Sequence, residues 1–275
     1  MITVVRAGPL TTIQDQGRPG YAHLGVPRSG ALDGRALRRA NALVGNPVGA
    51  AGLETTLMGC ALRFDAPVLV AVTGATAVVK VDKIPVGPGV LELGSGSLLD
   101  VGRATRGVRS YVAVAGGLDV EPVLGSRSTD TLSGLGPARL VEGTTVPVGH
   151  ERAEAADPET AADPVDELEL GVWLGPRDDW FAGGELFEKP YSVSPMSNRI
   201  GCRLTGTALT RARTGELPPE GVVLGAIQVP ADGQPLIFLA DHPTTGGYPV
   251  IGVVDDVTPL AQARPGSAVR FRALH

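Results

Sequence analysis

Three groups of polar residues, each set among glycines, could carry chemistry in this sequence. The first lies in the loop TTIQDQGRPGYAHLGVPRSGALD, residues 11–33, and consists of Arg18, His23, Arg28, Ser29 and Asp33. Arginine presents a fixed fork of donors that matches a carboxylate, and glycine and proline can hold such a loop in one shape. We predict that Arg28 takes part in catalysis and that the other four residues bind substrate. A plain connection with solvated arginines is the alternative.

The second group follows a predicted strand that ends at Ala240. It consists of Asp241, Thr244, Thr245, Gly246, Gly247 and Tyr248. Paired hydroxyls followed by paired glycines can form a concave set of N–H donors for an oxyanion or ligand. Asp241 would then be a catalytic base or the residue that orients one, and the others would bind substrate. The alternative is structural, because Thr-Thr-Gly-Gly also suits a hairpin turn and an aspartate often caps one.

The third group joins two more distant segments. Gln228 ends the motif GAIQ, and the motif SPMSNRIG supplies Ser197, Asn198 and Arg199. We predict a catalytic role for Gln228 and substrate contacts for the other three. We expect all three groups to face one ligand cleft.

Several kinds of site are excluded by the sequence. It contains no Gly-Lys pair, so it has no phosphate-binding P-loop, and it has no GxSxG nucleophile motif. Its four histidines are scattered and no pair has zinc-ligand spacing, so we predict no metal site. The usual attachment motif for biotin, Met-Lys-Met, is also missing.

Charge and composition narrow the class of protein further. The net charge is −5, but residues 151–167 hold seven carboxylates and one arginine, so the rest is near neutral and offers no basic stripe for nucleic acid. The longest notable apolar run, residues 68–72, is too short to span a membrane, and we predict a cytoplasmic protein. Cys60 and Cys202 are far apart in sequence, and we expect two buried thiols rather than a disulfide.

The elements that must position these groups are mostly strands. Apolar spacing predicts one clear helix over residues 32–44, capped by Asp33, and a short helix over 259–264, capped by Thr258. Short apolar runs separated by glycine and proline predict an antiparallel barrel or closed sandwich. In the first half the predicted strands are 2–6, 61–64, 68–72, 77–81, 90–93, 98–101 and 108–114. In the second half they are 168–174, 192–194, 202–204, 222–229, 236–239, 250–254 and 268–272. We predict lobes at 1–150 and 168–275, joined by an acidic linker at 151–167.

Several longer motifs resemble one family over nearly the whole chain. They are TTIQDQGRPGY, GVPRSGALD, RANALVGNP, LETTLMG, AVTGA, YVAVAGGLDVEPVLGSRST, SPMSNRIGCRL, GAIQVP and TTGGYP. They are similar to the C subunit of 5-oxoprolinase, also called allophanate hydrolase subunit 2 or KipA-like, a family related to the biotin-dependent carboxyltransferase part of urea carboxylase. The resemblance implies a mainly β protein with two cyclophilin-like antiparallel β-barrel lobes and a few short helices.

The resemblance also implies a function. It suggests one subunit of an ATP-dependent 5-oxoprolinase, inactive alone, that opens 5-oxo-L-proline to L-glutamate with a KipI-like and a LamB/YcsF-like subunit. ATP would be bound with or by those partners. One alternative is transfer of a carboxyl group from carboxybiotin to urea or a related amide, with biotin on a separate carrier. Another is a non-enzymatic regulator that binds a KipI-like inhibitor of a histidine kinase.

Overall fold

The computed structural model describes residues 1–151, 153, 166–215 and 217–275. The chain divides into two compact units. The first unit contains Met1–Arg18, Ser29–Asp130 and the described residues from 134 to 153. The second contains Pro19–Arg28, Thr131–Ser133 and the described residues from 166 onward. Most of the predicted acidic linker lies outside the described residues, so the lobe boundaries stay a prediction.

A branched nine-stranded sheet forms the frame of the first unit. Its strands are β1 Ile2–Arg6, β2 Thr11–Gln14, β3 Gly52–Thr56, β4 Ala61–Phe64, β5 Val68–Val81, β6 Ile84–Val86, β7 Val90–Leu93, β8 Leu98–Val114 and β10 Thr145–Val146. The order is β10-β1-β4-β8-β3-β2, and β5 joins β8 to the β6 and β7 edge. Two further strands, β9 Gly116–Leu118 and β11 Val148–Glu151, form a separate antiparallel pair.

Two of the predicted breaks between strands were wrong. The runs at 68–72 and 77–81 are parts of one strand, β5, and the runs at 98–101 and 108–114 are parts of β8. The pairing of β5 with β8 shifts register between Gly74 and Val79 but does not end. Gly74 has φ +88, a conformation that favours glycine, so the glycine makes an irregularity within a strand instead of a turn between strands.

The predicted long helix is α1, Gly34–Leu43, and it packs on this sheet. The predicted cap is confirmed, because the Asp33 carboxylate accepts a hydrogen bond from the Ala36 amide at 2.9 Å. Ala36, Leu37 and Ala40 form the buried stripe of the helix. Burial of a leucine side chain such as Leu37 contributes about 1.5–3 kcal/mol, so packing rather than propensity fixes the helix.

The second unit is built on a closed seven-stranded barrel in the order β12-β19-β16-β17-β14-β13-β20. Its strands are β12 Glu167–Leu174, β13 Tyr191–Val193, β14 Gly201–Thr205, β16 Ala226–Gln228, β17 Leu236–Phe238, β19 Val250–Val254 and β20 Ala268–Ala273. Every pairing is antiparallel except β12 with β20, which is parallel. Closure leaves no unpaired barrel edge. The mainly β class is therefore confirmed, with a barrel in the second unit and a branched sheet in the first.

Smaller elements complete the second unit and correct two predictions. A helix, α2 Glu185–Glu188, and a two-stranded sheet of β15 Glu220–Gly221 with β18 Thr245–Gly246 lie outside the barrel. The strand predicted at 222–229 is confined to β16, because Gly225 turns the chain at φ +83. The helix predicted at 259–264 is a 3-10 turn at Thr258–Ala261, and Thr258 lies inside it rather than capping it. The other 3-10 turns are Ala22–Leu24 and Asp178–Trp180.

Both cysteines are buried and neither forms a disulfide, as predicted. Burial raises the pKa of the Cys60 thiol to about 12, so it is protonated at neutral pH. Among the described residues, no helix is long and apolar enough to cross a membrane.

Candidate functional site

A buried ion pair lies at one end of the β14–β17 ladder. Arg199 precedes β14 and Asp241 follows β17, and the ladder continues beyond both strands through bonds from Leu239 N to Ile200 O and from Asp241 N to Arg199 O. Antiparallel pairing therefore brings together two residues 42 positions apart. Arg199 Nε and Nη2 lie 2.9 Å from Asp241 Oδ2 and Oδ1, and the side chains are 1% and 0% exposed. This bidentate pair fixes the two chain segments against each other.

Thr131 completes the surroundings of the Asp241 carboxylate. Its backbone N–H and its hydroxyl donate to Asp241 Oδ2 at 3.0 and 2.7 Å. Together with Arg199, these bonds occupy both carboxylate oxygens. Thr131 was not predicted, because nothing in the segment Thr131–Ser133 indicates a partner 110 residues away. The arrangement is suited to holding the backbone on either side of Asp241 in place.

Gln228, the last residue of β16, faces the glycine-rich segment after Asp241. Its Nε2 donates to the backbone oxygen of Tyr248 at 3.1 Å. The fit is close, since a Cβ atom at Gly246 would lie 2.5 Å from Gln228 Nε2. The side chain is buried, yet none of the residues that the structure describes donates to Gln228 Oε1. That oxygen is an acceptor of fixed orientation.

The Thr-Thr-Gly-Gly segment takes a regular conformation rather than a free loop. Thr244 O accepts from Val222 N at 3.0 Å, and Thr245–Gly246 pair with Glu220–Gly221. Arg177 binds both Glu220 carboxylate oxygens and, chiefly by this hydrogen bonding, lowers the pKa of Glu220. Thr245, Gly247 and Tyr248 are exposed. The segment therefore has the structural role that the sequence analysis gave as the alternative. Substrate contact by these residues stays a prediction.

Ser197 and Asn198 shape the turn that leads into β14. Asn198 Oδ1 accepts from the amides of Ile200 and Gly201 at 2.8 and 3.2 Å. The Ser197 hydroxyl donates to Arg203 O at 3.2 Å and accepts from Arg203 N at 3.1 Å. These bonds position Arg199 for its ion pair, and substrate contact by Ser197 and Asn198 stays a prediction.

The polar residues of the opening loop, residues 11–33, are divided between the two units. Arg18, Ser29 and Asp33 belong to the first unit, and His23 and Arg28 belong to the second. Arg18 is buried and donates to Val123 O at 3.3 Å, to Ser29 Oγ at 3.2 Å and to the Ser128 carbonyl. Because Arg18 and Ser29 flank Pro19–Arg28, their hydrogen bond joins the two ends of that segment.

His23 and Arg28 are the exposed members of this group. His23 Nδ1 lies 3.0 Å from Gly20 O. Arg28 forms no hydrogen bond or ion pair with any residue that the structure describes. Its guanidinium is therefore available to an anion, whereas the side chains of Arg18 and Asp33 are engaged within the fold.

Asp15 holds the opening loop against the segment GSRST, a role that was not predicted. Its Oδ1 accepts from Gly17 N at 2.7 Å and from the hydroxyls of Ser126 and Ser128, and its Oδ2 accepts from Arg127 N at 2.6 Å. An aspartate two residues before a glycine is a signal for a turn of this kind. The sequence could have suggested the turn but not its distant serine partners.

A second buried network fixes the start of α1. Tyr111 OH donates to Glu54 Oε2 at 2.8 Å and accepts from Asp33 N at 2.8 Å. Glu54 Oε2 also accepts from Leu32 N at 3.0 Å. Burial, reinforced by the Glu54 and Asp33 carboxylates, raises the pKa of Tyr111 well above its ordinary value. This network positions the end of the opening loop.

Described residues of the first unit line at least two cavities. One, of about 590 Å³, is lined by β5, the segment from Val86 to Leu91, and Arg39 and Leu43 of α1. The other, of about 600 Å³, is lined by residues near Met1, Pro67, Glu92 and His150. Within the described residues, no group of three His, Cys, Asp or Glu side chains could hold a metal ion.

The first unit has a branched sheet and the second has a closed barrel, and polar turns lie at the ends of their strands. Comparisons with known proteins identify the class of protein that has this combination. Residues 24–273 match the family described as "Carboxyltransferase domain, subdomain A and B", and the chain belongs to this family.

Two curated relatives carry different names. The chain is 38% identical to the C subunit of 5-oxoprolinase from Escherichia coli strain K12, over 98% of this chain and 90% of the relative. It is 33% identical to urea amidolyase of Saccharomyces cerevisiae, over 98% of this chain but only 16% of that longer protein. The crystal structure of the K. lactis urea amidolyase superposes on the whole chain with a TM-score of 0.91 at 30% identity, and the match covers 19% of that chain.

Proposed function

We propose that this chain is a subunit of a cytoplasmic, ATP-dependent 5-oxoprolinase. The complex opens 5-oxo-L-proline to L-glutamate with a KipI-like and a LamB/YcsF-like subunit. The observation that carries this proposal is the 38% identity to the E. coli protein across 90% of its length. The chemistry of the second unit supports it through an exposed guanidinium at Arg28 and an oriented amide at Gln228.

The reaction defines what these residues would do. Water adds to the lactam carbonyl carbon, the ring C–N bond breaks, and the ring nitrogen takes a proton and becomes the amino group of glutamate. Arg28 would bind the carboxylate of the substrate in a bidentate manner. Gln228 Oε1 would accept from the lactam N–H, because the Nε2 bond to Tyr248 O fixes the orientation of the amide. Both contacts orient the ring for attack.

Asp241 serves as a positioning residue in this proposal. It is fully buried and its oxygens are bonded to Arg199 and Thr131, so its geometry favours the orienting role over that of a base. The same pair holds the start of the segment that reaches Tyr248. Loss of Asp241 would therefore act on turnover through the placement of Gln228 and Tyr248.

ATP does not fit the cavities described in the first unit. A triphosphate carries several negative charges, whereas Arg39 is the only cationic side chain among the described residues that line the cavity between α1 and β5. The described ionisable residues that line the other cavity are Met1, Glu92 and His150, and the Met1 ammonium is already paired with Asp65. We therefore assign ATP binding to the partner subunits, and no step performed by this chain passes through the nucleotide.

Carboxyl transfer from carboxybiotin to urea or a related amide is the second candidate. The observation that favours it is the family itself together with the TM-score of 0.91 to urea amidolyase. Biotin would reach this chain on a separate carrier. Arg28 and Gln228 would then contact the urea or amide acceptor rather than a lactam.

Reconstitution separates these functions. The purified chain is mixed with the KipI-like and LamB/YcsF-like subunits, ATP and 5-oxo-L-proline, and glutamate release is measured, with each subunit omitted in turn. We expect glutamate only from the complete mixture. Undiminished release without this chain would refute the proposal. A parallel reaction with biotinylated carrier, bicarbonate and urea reports the second candidate, and activity there alone would favour it.

Point variants then test whether the chain acts on substrate or only regulates its partners. Arg28→Gln and Gln228→Leu are expected to lower turnover with 5-oxoproline at least tenfold while the complex still assembles. The matched control is Arg270→Gln, which changes an exposed arginine on β20. If all three variants retain full turnover, the chain contributes no substrate contact at these positions and the regulatory alternative gains support.

A further inference from the structure

The cavity of about 590 Å³ in the first unit is shaped for a small amphipathic ligand. Its walls combine aliphatic side chains from α1, β5, β6 and β7 with threonines and glycines. The main contributors are Leu43, Val72, Val79, Val86 and Leu91 together with Arg39. A volume of this size lies within the range of small-molecule sites, which combine apolar walls with a few polar groups.

Among the described residues that line this cavity, Arg39 is the only ionisable one. It lies one helical turn before Leu43, so both side chains extend from the same face of α1. Its Nε is buried without a hydrogen-bond partner, and none of the described residues forms an ion pair with its guanidinium. A buried donor of a charged group that lacks an acceptor is unfavourable, and an incoming anion would relieve this.

We propose that this cavity binds a small organic monocarboxylate, with the carboxylate on Arg39 and an apolar body against the aliphatic walls. One guanidinium matches one carboxylate in a bidentate geometry, while a phosphate dianion would leave a negative charge uncompensated. The site is separate in sequence and in structural unit from Arg28 and Gln228, and it does not depend on the proposed reaction.

The test uses hexanoate and benzoate as probes, with hexanol, benzyl alcohol and inorganic phosphate as comparisons. Binding is followed through the backbone NMR shifts of the β5 residues Thr73 to Ala77 in the full chain. We expect both carboxylates to shift these resonances, with Kd of order 1 mM. The neutral alcohols and phosphate should bind about tenfold more weakly or worse.

Variants of α1 test whether Arg39 is the residue that binds the carboxylate. Arg39→Gln should weaken carboxylate binding about tenfold or more, and Arg39→Lys should have an intermediate effect because it keeps the charge but loses the fork. The control Arg35→Gln changes an exposed arginine on the same helix and should leave binding unchanged. Each Arg39 variant should keep the melting temperature of the parent, since no described residue bonds to Arg39. Equal binding to Arg39→Gln, preference for phosphate, or no shift at β5 would overturn the proposal.

Discussion

Replacement of Asp241 by asparagine tests the ion pair on which the candidate site depends. The change removes the negative charge beside Arg199 and puts an amide NH2 where a carboxylate oxygen accepts hydrogen bonds from Arg199 or Thr131. Arg199 is 1% exposed, so its charge would remain buried without the Asp241 carboxylate. Breaking one side of a buried pair costs about 3–5 kcal/mol, and we expect Asp241→Asn to lose that much stability.

Urea unfolding at neutral pH, followed by circular dichroism, measures this loss. Thr131→Val removes only the hydroxyl bond to the carboxylate and should cost about 1.5–3 kcal/mol. The double variant with Arg199→Met and Asp241→Leu removes both charges and should recover part of the stability, because the Thr131 N–H and hydroxyl still lose their acceptor. Asp232→Asn is the matched control, because this exposed aspartate bonds to Gln234 N through an oxygen that asparagine retains. We expect the control to stay within about 0.5 kcal/mol of the parent chain.

The stability and the turnover of these variants together distinguish a catalytic Asp241 from a positioning one. If Asp241→Asn keeps the full stability of the parent but abolishes glutamate release in the reconstituted complex, Asp241 acts in the chemistry and not through its position. If both stability and turnover fall, and the charge-free double variant recovers stability and some turnover, the positioning role is supported. A base at this position would leave the double variant stable but inactive.

Two further predictions concern the buried tyrosines. Tyr111→Phe should destabilise the chain by about 2–4 kcal/mol, because Glu54 and Asp33 N lose the hydroxyl to which both are bonded. Tyr191→Phe should be neutral or stabilising, because the Tyr191 hydroxyl is buried with no hydrogen bond to a described residue. The midpoints of urea unfolding compare the two variants. Burial raises the pKa of Tyr191 to about 12 and also raises the pKa of Tyr111 well above its ordinary value, so each tyrosine ionises more readily in the unfolded chain. The stabilising contribution of each tyrosine is complete below pH 10 and is lost above it, and for Tyr191 the loss is about 1.4 kcal/mol near pH 11. Urea titrations from pH 9 to 11 measure this slope, which Tyr111→Phe should make shallower, and an unchanged slope would contradict the assignment.

Most strands could be predicted because their signal is local. Alternating aliphatic residues bounded by glycine and proline identified β1, β4, β7 and β19 with the same bounds as the structure. Two of the errors came from glycines inside strands, at Gly74 in β5 and at Gly107 in β8. A glycine with positive φ can end a strand or distort one, and only the pairing partner decides between them. That partner is distant in sequence and carries no local signal.

The residue types of the candidate site were easier to predict than their roles. Polar residues at the ends of β16 and β17 were identified, and the ion pair between Arg199 and Asp241 follows from strand pairing. No local pattern points to Thr131 or separates Arg28 from Arg18, because these differences depend on burial and on partners more than 100 residues away. Contacts between residues that are far apart in the chain follow no fixed spacing, so a sequence pattern does not reveal them.

The hydrogen-bond partners of an arginine determine whether it stabilises the fold or is available to a ligand. Arg18 and Arg199 are buried, and their donors are taken up by carbonyls, a hydroxyl or a carboxylate, so each costs little to bury and serves the framework. Arg28 and Arg39 have no such acceptor among the described residues, and they lie on an exposed segment and in an aliphatic cavity respectively. In either setting, the donors of the guanidinium favour a hydrogen-bond acceptor. Arg28 and Arg39 are therefore positions where an anionic ligand would gain an interaction, and glutamine at each of them should weaken ligand binding with little loss of stability.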